Sequence, residues 1–338
     1  MIVFSSSTAG SNRGKLEEKV AKMAKANGKR VRIINFVDKM VECAKPLSMN
    51  ITPSTIPNLD PQVIKVLKEN AMHRISDVIN AEKGTDFIID GHTAFWWKNG
   101  PISLMDVRDF SDLKPDLFVT VISTPAQLKD TILKDKEWID KEIDIYEISV
   151  WSELEIYTMD LISRTLGKSN YLVGIDEDPA TIYNLMYNPN MLKIYASFSM
   201  EHRDTSYKRL DRFISKLREM AIVFDPRSVD LSYYGEYYKD SRIKEIAFNQ
   251  TVRRDYRLID QSDLVVIHLT SLVYSSGVDS ERMHAHSTGK RVLLYFPFEK
   301  YSPFTPYFVN KMFNNEEELI SEIRKIASRA HSISAKKG

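Results

Sequence analysis

Two carboxyl side chains in the C-terminal half could together break a bond between a base and a sugar. Cleavage of an N-glycosidic bond needs one carboxylate to trap the oxocarbenium-like sugar and a second carboxyl group to handle the proton of the base. We expect Glu281 to be the nucleophile, Asp255 the general acid and then base, and Tyr195 the residue that orients Glu281. Simpler interpretations stay open for each residue. Glu281 could only stabilise the helix dipole, Asp255 could form a surface ion pair, and Tyr195 could be a core residue. Asp279 or Ser280 could simply be the N-cap of the helix.

Small polar residues just before Glu281 could bind a phosphate group. Ser275, Ser276 and Gly277 open a predicted helix, where hydroxyl and backbone N–H groups can face an anion. Gly277 would allow the ligand to approach the backbone closely. The sequence therefore predicts that these three residues bind a phosphate group.

A different phosphate-binding motif lies near the N-terminus. Residues 9–16 (AGSNRGKL) stand between a predicted strand and a predicted helix, as in a phosphate-binding loop. Ala9 replaces the first glycine of that loop, and Leu16 removes the hydroxyl group that would hold Mg²⁺. A lysine-containing turn is the alternative interpretation. Six residues are predicted to bind a nucleotide, with ATP and Mg²⁺ as candidate ligands: Gly10, Asn12, Arg13, Gly14, Lys15 and Asp90.

The elements that must position these residues alternate between short β-branched strands and amphipathic helices, which predicts parallel sheets covered by helices. The fold class is α/β, with two three-layer α/β domains at 1–188 and 191–338. Predicted strands are 2–5, 30–35, 86–90, 116–122 and 171–175, then 192–196, 221–224, 263–269 and 291–296. Predicted helices are 14–26, 61–81, 126–136 and 149–165, then 205–220, 243–260, 279–289 and 316–329.

The first half resembles archaeal-type adenylate kinases over about residues 1–187. The resemblance is carried by the loop at 9–16, by 31–40 (VRIINFVDKM) and by 86–93 (DFIIDGHT). It implies a P-loop kinase-like domain that binds a nucleotide. The segment 129–141 (KDTILKDKEWIDK) departs from the arginine-rich lid of such kinases, and lysine does not replace the arginine fork without loss. We therefore expect nucleotide binding with slow or absent phosphoryl transfer.

The second half resembles the nucleoside 2′-deoxyribosyltransferase superfamily over about residues 191–300. The motifs are Tyr195 in the first strand, Asp255 before the strand entry IDQSD, SSGVDSE at 275–281 and AHSTGK at 285–290. Ser275 stands where transferases acting on nucleosides have an aspartate. A serine at this position is similar to the 2′-deoxynucleoside 5′-monophosphate N-glycosidases. It suits a phosphate group, which a carboxylate would repel. Ser199 is similar to that branch's other phosphate-binding serine, and the resemblance implies a Rossmann-like domain and a homodimer.

Composition limits the partners of the 338-residue chain. Its 47 Lys and Arg against 46 Asp and Glu give no global attraction to nucleic acid or to a membrane surface. The single cysteine, Cys43, and the absence of a signal pattern favour a cytoplasmic location. We predict an enzyme that hydrolyses a (deoxy)nucleoside 5′-monophosphate to base and (deoxy)ribose 5-phosphate, with neither metal nor cofactor at that site. The alternatives are a nucleoside-monophosphate kinase with an accessory C-terminal domain and a non-catalytic nucleotide sensor.

Overall fold

The computed structural model describes residues 1–97, 100–132, 134, 143–199, 203–229, 241–272 and 274–335. These residues form two compact units. The first contains Met1–Met186 and the described part of Asp230–Gln250, and the second contains Tyr187–Val229 and the described part of Thr251–Gly338. Both units are mixed α/β with parallel sheets, which confirms the predicted fold class. The functional boundary between 188 and 191 stays a prediction.

The first unit is a parallel sheet flanked by helices. Its described strands are β1 (Ile2–Ser6), β2 (Val31–Asn35), β3 (Asp86–Gly91), β4 (Ala94–Trp97), β5 (Gly100–Ser103), β6 (Leu117–Ile122) and β7 (Asn170–Gly174). Its described helices are α1 (Arg13–Ala26), α2 (Phe36–Ala44), α3 (Pro61–Ala81), α4 (Pro125–Ile132), α5 (Ile145–Thr165) and α6 (Pro179–Tyr187). The parallel sheet has the strand order β2-β3-β1-β6-β7, and β4 pairs with β5 in an antiparallel hairpin.

The strand register brings the N-terminal loop close to the end of β3. Strand β1 lies between β3 and β6, and Ser5 on β1 is opposite Asp90 on β3. A Cβ atom on Gly91 would lie 2.6 Å from Cζ of Phe4, so the close approach of these strands requires glycine there. The loop after β1 and Asp90 therefore share the carboxyl edge of the sheet.

The second unit is also a parallel sheet flanked by helices. Its described strands are β8 (Lys193–Ser197), β9 (Ile222–Phe224), β10 (Leu264–His268), β11 (Arg291–Tyr295) and β12 (Lys311–Phe313). Its described helices are α7 (Arg203–Arg218), α9 (Ser276–Ser287), α10 (Phe304–Tyr307) and α11 (Glu316–Ala335), while α8 (Ser241–Asp260) has residues in both units. The strand order is β9-β8-β10-β11-β12. The prediction of four strands is wrong, because β12 is a three-residue strand that begins with the exposed Lys311 and therefore lacks an apolar run.

The order of the second sheet places a switch point between β8 and β10. The chain passes from β8 to β9 in one direction and from β10 to β11 in the other. In open α/β sheets, ligands bind beyond the carboxyl ends of the strands at such a point. Ser197 ends β8, and α9 follows β10, so both belong to this edge.

Several predicted elements differ at their ends or were missing. Helix α2 was not predicted, because it follows β2 directly with no turn residues between them; Asn35 caps it by accepting a hydrogen bond from N of Asp38. The predicted helix 126–136 is observed as α4, and the segment 129–141 lies outside the described residues except for 129–132 and 134. In the described part of the chain, no helix combines the length and apolarity needed to cross a membrane.

Candidate functional site

Glu281 lies inside the second unit and is bound by a residue at the end of β8. Its side chain is 7% exposed on α9, and its Oε2 accepts a hydrogen bond of 2.6 Å from Oγ of Ser197. Ser197 is fully buried. A carboxyl group on the surface of a helix would satisfy the helix dipole equally well, so the dipole alone does not explain this buried position. The contact joins residues 84 positions apart and fixes the carboxyl group at the switch point.

Burial changes the acid–base behaviour of Glu281. Removal from water raises the pKa of its carboxyl group to about 7, although the hydrogen bond from Ser197 and the nearby Tyr195 act in the opposite direction. A carboxyl group with this pKa is partly protonated and partly ionised near neutral pH. It can therefore be an effective nucleophile in its ionised form without being locked into that form.

Tyr195 lies close to Glu281, and Asp255 lies close to Tyr195. The Tyr195 side chain is fully buried, and its pKa is raised well above the usual value, first by burial and then by the charges of Glu281 and Asp255. Its hydroxyl group lies close enough to stabilise the charged carboxylate, but it makes no normal hydrogen bond with any described residue. Asp255 on α8 is 9% exposed, so it is not a surface ion pair. The three predicted catalytic residues are thus brought together, with Ser197 making the direct contact that was expected of Tyr195.

The predicted phosphate-binding residues lie around the start of α9 and after β8. Ser275 is the N-cap of α9, where its Oγ accepts a long hydrogen bond of 3.5 Å from N of Val278. The predicted helix start at 279 is therefore wrong, because the cap lies four residues earlier. Ser276 and Gly277 are exposed in the first turn, and a Cβ on Gly277 would meet only Oγ of Ser275, at 3.9 Å.

Ser199 offers a second hydroxyl group at the same edge of the sheet. It follows the last residue of β8 by two positions, and its Oγ is buried without a hydrogen-bond partner in the described part of the chain. A buried hydroxyl without a partner has an unfavourable free energy that a bound ligand could remove. This arrangement suits an anion at the carboxyl end of β8.

The N-terminal loop lines an open cavity of about 380 Å³ in the first unit. Gly10 has a φ of 84° and Asn12 a φ of 58°, so the loop turns sharply before α1. The cavity is lined by loop residues, by residues of α1 and α4 and by residues after β6 and β7: Gly10, Ser11, Asn12, Lys15, Leu16, Lys19, Ser123, Gln127, Asp130, Thr131, Ile175 and Asp176. Two lysines beside backbone N–H groups at a helix start are suited to bind a phosphate.

Arg13 and Asp90 interact with each other rather than with this cavity. The Arg13 guanidinium is buried, forms a short ion pair with Asp90 and lies 3.1 Å from Oε1 of Glu17. Asp90 also accepts a hydrogen bond of 3.0 Å from Nδ2 of Asn35. Neither residue, nor Gly14, is among the described residues that line the cavity. Of the six residues predicted to bind a nucleotide, Gly10, Asn12 and Lys15 line the cavity, whereas Arg13, Gly14 and Asp90 do not.

Some residues of both sites were missed by sequence reasoning. Ser197 has the same strand face as Tyr195, because residues two apart in a strand point to the same side. Strand alternation was therefore a usable signal for Ser197. Lys19 lies four residues after Lys15 on α1, which places the two on one helix face. Ser123, whose buried Oγ has no partner within the described ranges, follows β6 and carried no local motif.

Comparison with known proteins identifies one family model and several similar structures. A family model described as an AAA domain matches residues 8–149, which confirms the P-loop type of domain predicted for the N-terminal half. No curated protein matches the chain.

Among solved structures, the chain is similar to a 2-deoxyribosyltransferase from Bacillus psychrosaccharolyticus, with 18% identity over 38% of this chain and 90% of that chain, and a TM-score of 0.31. It is similar to the CMP N-glycosidase BcmB of Clostridium botulinum, with 19% identity over 39% and 97% of the chains and a TM-score of 0.27. It is also similar to shikimate kinase from Acinetobacter baumannii, with 9% identity over 56% and 93% and a TM-score of 0.35. All three similar proteins are enzymes.

Proposed function

We propose that the second unit hydrolyses the N-glycosidic bond of a nucleoside or deoxynucleoside 5′-monophosphate, releasing the base and (deoxy)ribose 5-phosphate. The observation that carries the proposal is the buried Glu281 carboxyl group bound by Ser197 at the end of β8. Burying an acid is unfavourable, and a carboxyl group with a pKa near 7 is typical of a functional group. Tyr195, which lies close to Glu281, and Asp255, which lies close to Tyr195, would supply the other groups that the reaction needs.

The reaction would proceed in two steps. In the first, an Oε atom of Glu281 forms a bond to C1′, the bond between C1′ and the base nitrogen breaks, and Asp255 donates a proton to the leaving base. In the second, Asp255 removes a proton from water, the water oxygen bonds to C1′, and the bond to Glu281 breaks. Ser199, Ser275, Ser276 and the backbone at Gly277 would bind the 5′-phosphate.

The first unit would bind a nucleotide through its loop and Lys15, with the nucleotide phosphates in the cavity beside α1. Phosphoryl transfer there would be slow or absent, because Leu16 offers no hydroxyl group to Mg²⁺ and the Asp90 carboxylate is paired with Arg13. The positive charges of Lys15 and Lys19 in the cavity would attract the phosphates of ATP. The kinase and sensor alternatives differ from this proposal in their products: ADP for the kinase, and neither ADP nor free base for the sensor.

A chromatographic screen tests the proposal directly. The full chain is incubated with the common nucleoside and deoxynucleoside monophosphates, with and without ATP, and free base, ADP and sugar phosphate are quantified. We expect free base from at least one monophosphate without ATP. ADP formation with no free base would favour the kinase alternative instead.

The same substitution at two glutamates tests whether base release depends on Glu281. Glu281→Gln keeps the shape of the side chain but removes the nucleophile, so base release should fall by at least about a thousandfold, roughly 4 kcal/mol in activation free energy. Glu318→Gln, an exposed acid on α11, is the matched control and should keep the wild-type rate. Wild-type activity in Glu281→Gln would remove the assignment.

A further inference from the structure

A cavity of about 470 Å³ continues from the start of α9 toward the loop that follows β11. Ser275 belongs both to this cavity and to the predicted phosphate-binding group. The cavity is also lined by Arg282 on α9 and by Lys300, Tyr301 and Phe304 in and near the loop after β11. A volume of this size is in the usual range of sites for whole small molecules, roughly 300–1,000 Å³, and exceeds what one phosphate group needs.

The position of the cavity relative to Glu281 indicates which end of a substrate would enter it. The Glu281 carboxyl group contacts Ser197 on β8, whereas the cavity is lined by residues that follow β10 and β11 and by residues of α9. Because Ser275 lines the cavity, a nucleotide with its C1′ atom at Glu281 and its 5′-phosphate at Ser275 would place that phosphate at the cavity.

The charges of the cavity favour a further anionic group. Lys300 lines it with an ammonium group, while the Arg282 guanidinium donates to Oδ1 of Asp279 at 2.6 Å and to the carbonyl oxygen of Thr305 at 3.0 Å. Asp279 is thereby neutralised, so the charge of Lys300 is not opposed by it. Arg282 is 8% exposed, and its buried Nε has no hydrogen-bond partner among the described residues. An added phosphate would find a positive potential here.

Aromatic side chains at the rim favour a planar group beyond that anion. Tyr274, Tyr301 and Phe304 line the cavity and are 73%, 49% and 68% exposed. Large rings left in water are suited to stack on a base, which removes apolar surface from water. A single monophosphate would leave these rings and Lys300 without a function.

We infer that the substrate of this site extends past its 5′-phosphate, and that the preferred class is a dinucleotide in which a pyrophosphate joins the cleaved nucleoside to a second nucleoside. The inference rests on the proposed function, because it uses Glu281 as the point where C1′ binds. The same C1′–base bond breaks and water again supplies the hydroxyl group at C1′, so one base leaves and the second nucleoside remains attached. Lys300 would bind the second phosphate, and Tyr301 and Phe304 would contact the second base.

The first three substrates of the test differ only beyond the 5′-phosphate. The monophosphate most active in the screen, its 5′-diphosphate and its symmetrical dinucleoside diphosphate are compared by kcat/KM for base release, with NAD⁺ as a fourth substrate. We expect the dinucleoside diphosphate to exceed the monophosphate by at least about tenfold, the equivalent of about 1.4 kcal/mol. Equal or lower values for every extended substrate would overturn the inference and leave the proposed function intact.

Lys300→Gln and Phe304→Ala test whether the cavity causes the preference for the dinucleoside diphosphate. Both residues are exposed, so the fold should tolerate the changes, and Lys325→Gln on α11 is the matched control. We expect each cavity variant to raise KM for the dinucleoside diphosphate about tenfold while changing monophosphate turnover less than twofold. Unchanged KM in both cavity variants would overturn the inference.

Calorimetry with the dinucleoside diphosphate separates binding from hydrolysis. Binding that weakens in Lys300→Gln, without base release from any substrate, would support the cavity and overturn the proposed function. Absence of binding to the wild-type chain would overturn the cavity assignment.

Discussion

Replacement of Ser197 by alanine should shift the pH dependence of base release. In the wild-type protein, kcat/KM should rise with pH through about 7, because Glu281 attacks only in its ionised form and its pKa lies there. The 2.6 Å hydrogen bond from Ser197 stabilises that ionised form. Removing the hydroxyl group therefore raises the pKa of Glu281 further and moves the midpoint to higher pH.

The size of the shift follows from the strength of the bond. A hydrogen bond to a charged group is worth about 1.5–3 kcal/mol, and about 1.4 kcal/mol corresponds to one pH unit. The midpoint should thus move to about 8–9. At pH 7 the ionised fraction falls from about one half to between about 1% and 10%, so the rate falls roughly 5- to 50-fold and recovers above the new midpoint.

The assay is kcat/KM for base release from pH 5 to pH 10, measured for both proteins. Ser262→Ala is the matched control, since Ser262 is a buried serine of the same unit whose Oγ donates to the carbonyl oxygen of Leu258. Its midpoint should stay where the wild-type midpoint lies. An equal loss of rate at every pH in Ser197→Ala, with no movement of the midpoint, would refute the reasoning and leave Ser197 a packing residue.

Other substitutions test the remaining roles. Asp255→Asn should slow base release most for bases that leave poorly, and an equal loss across a substrate series would contradict its role as general acid. Ser275→Asp should raise KM for a monophosphate at least about tenfold and leave nucleoside turnover unchanged, because like charges repel; an unchanged KM ratio of the two substrates would argue against phosphate binding there. Lys15→Ala should weaken ATP binding to the full chain about tenfold by calorimetry, roughly 1.4 kcal/mol, and an unchanged Kd would remove this lysine from the site. Asp90→Asn takes one counter-charge from the buried Arg13 guanidinium, so urea unfolding should show a loss of about 3 kcal/mol; a loss below about 0.5 kcal/mol would show that the ion pair contributes little.

Local patterns were sufficient for most of the elements. Helix α3 was predicted at 61–81, where the structure has it, because Asp60 caps the helix through N of Gln62 and Pro61 occupies the first turn. Apart from β12, the strands of the two parallel sheets were found from their apolar runs within one or two residues. Helix α2 was lost because Asn35 ends a strand and caps a helix at once, so no turn residues separate the two.

The partners of the site residues could not be found in the same way. Nothing near Glu281 in the chain indicates that Ser197 is its hydrogen-bond donor, since strand order alone brings β8 beside β10. Arg13 was assigned to nucleotide binding from its place in the loop. The orientation of its side chain, however, depends on Asp90, which lies 77 residues later in the chain. The residue types in a motif indicate which reaction is possible, whereas the order of the strands determines which side chains are in contact.

The buried carboxyl group at residue 281 also makes the folded state sensitive to alkali. An unfolded chain ionises this group near its ordinary pKa of 4.5, whereas the folded chain does so only near 7. The folded state therefore holds the proton better, and this contribution to stability is complete below about pH 4.5 and lost as pH rises through 7. Above pH 7 the loss amounts to roughly 3 kcal/mol, a sizeable fraction of the 5–15 kcal/mol that holds an ordinary domain together. The pH values at which Glu281 is ionised and can act as a nucleophile are thus those at which the second unit is least stable. Glu281→Gln should therefore have a higher free energy of unfolding at pH 8 than the native chain.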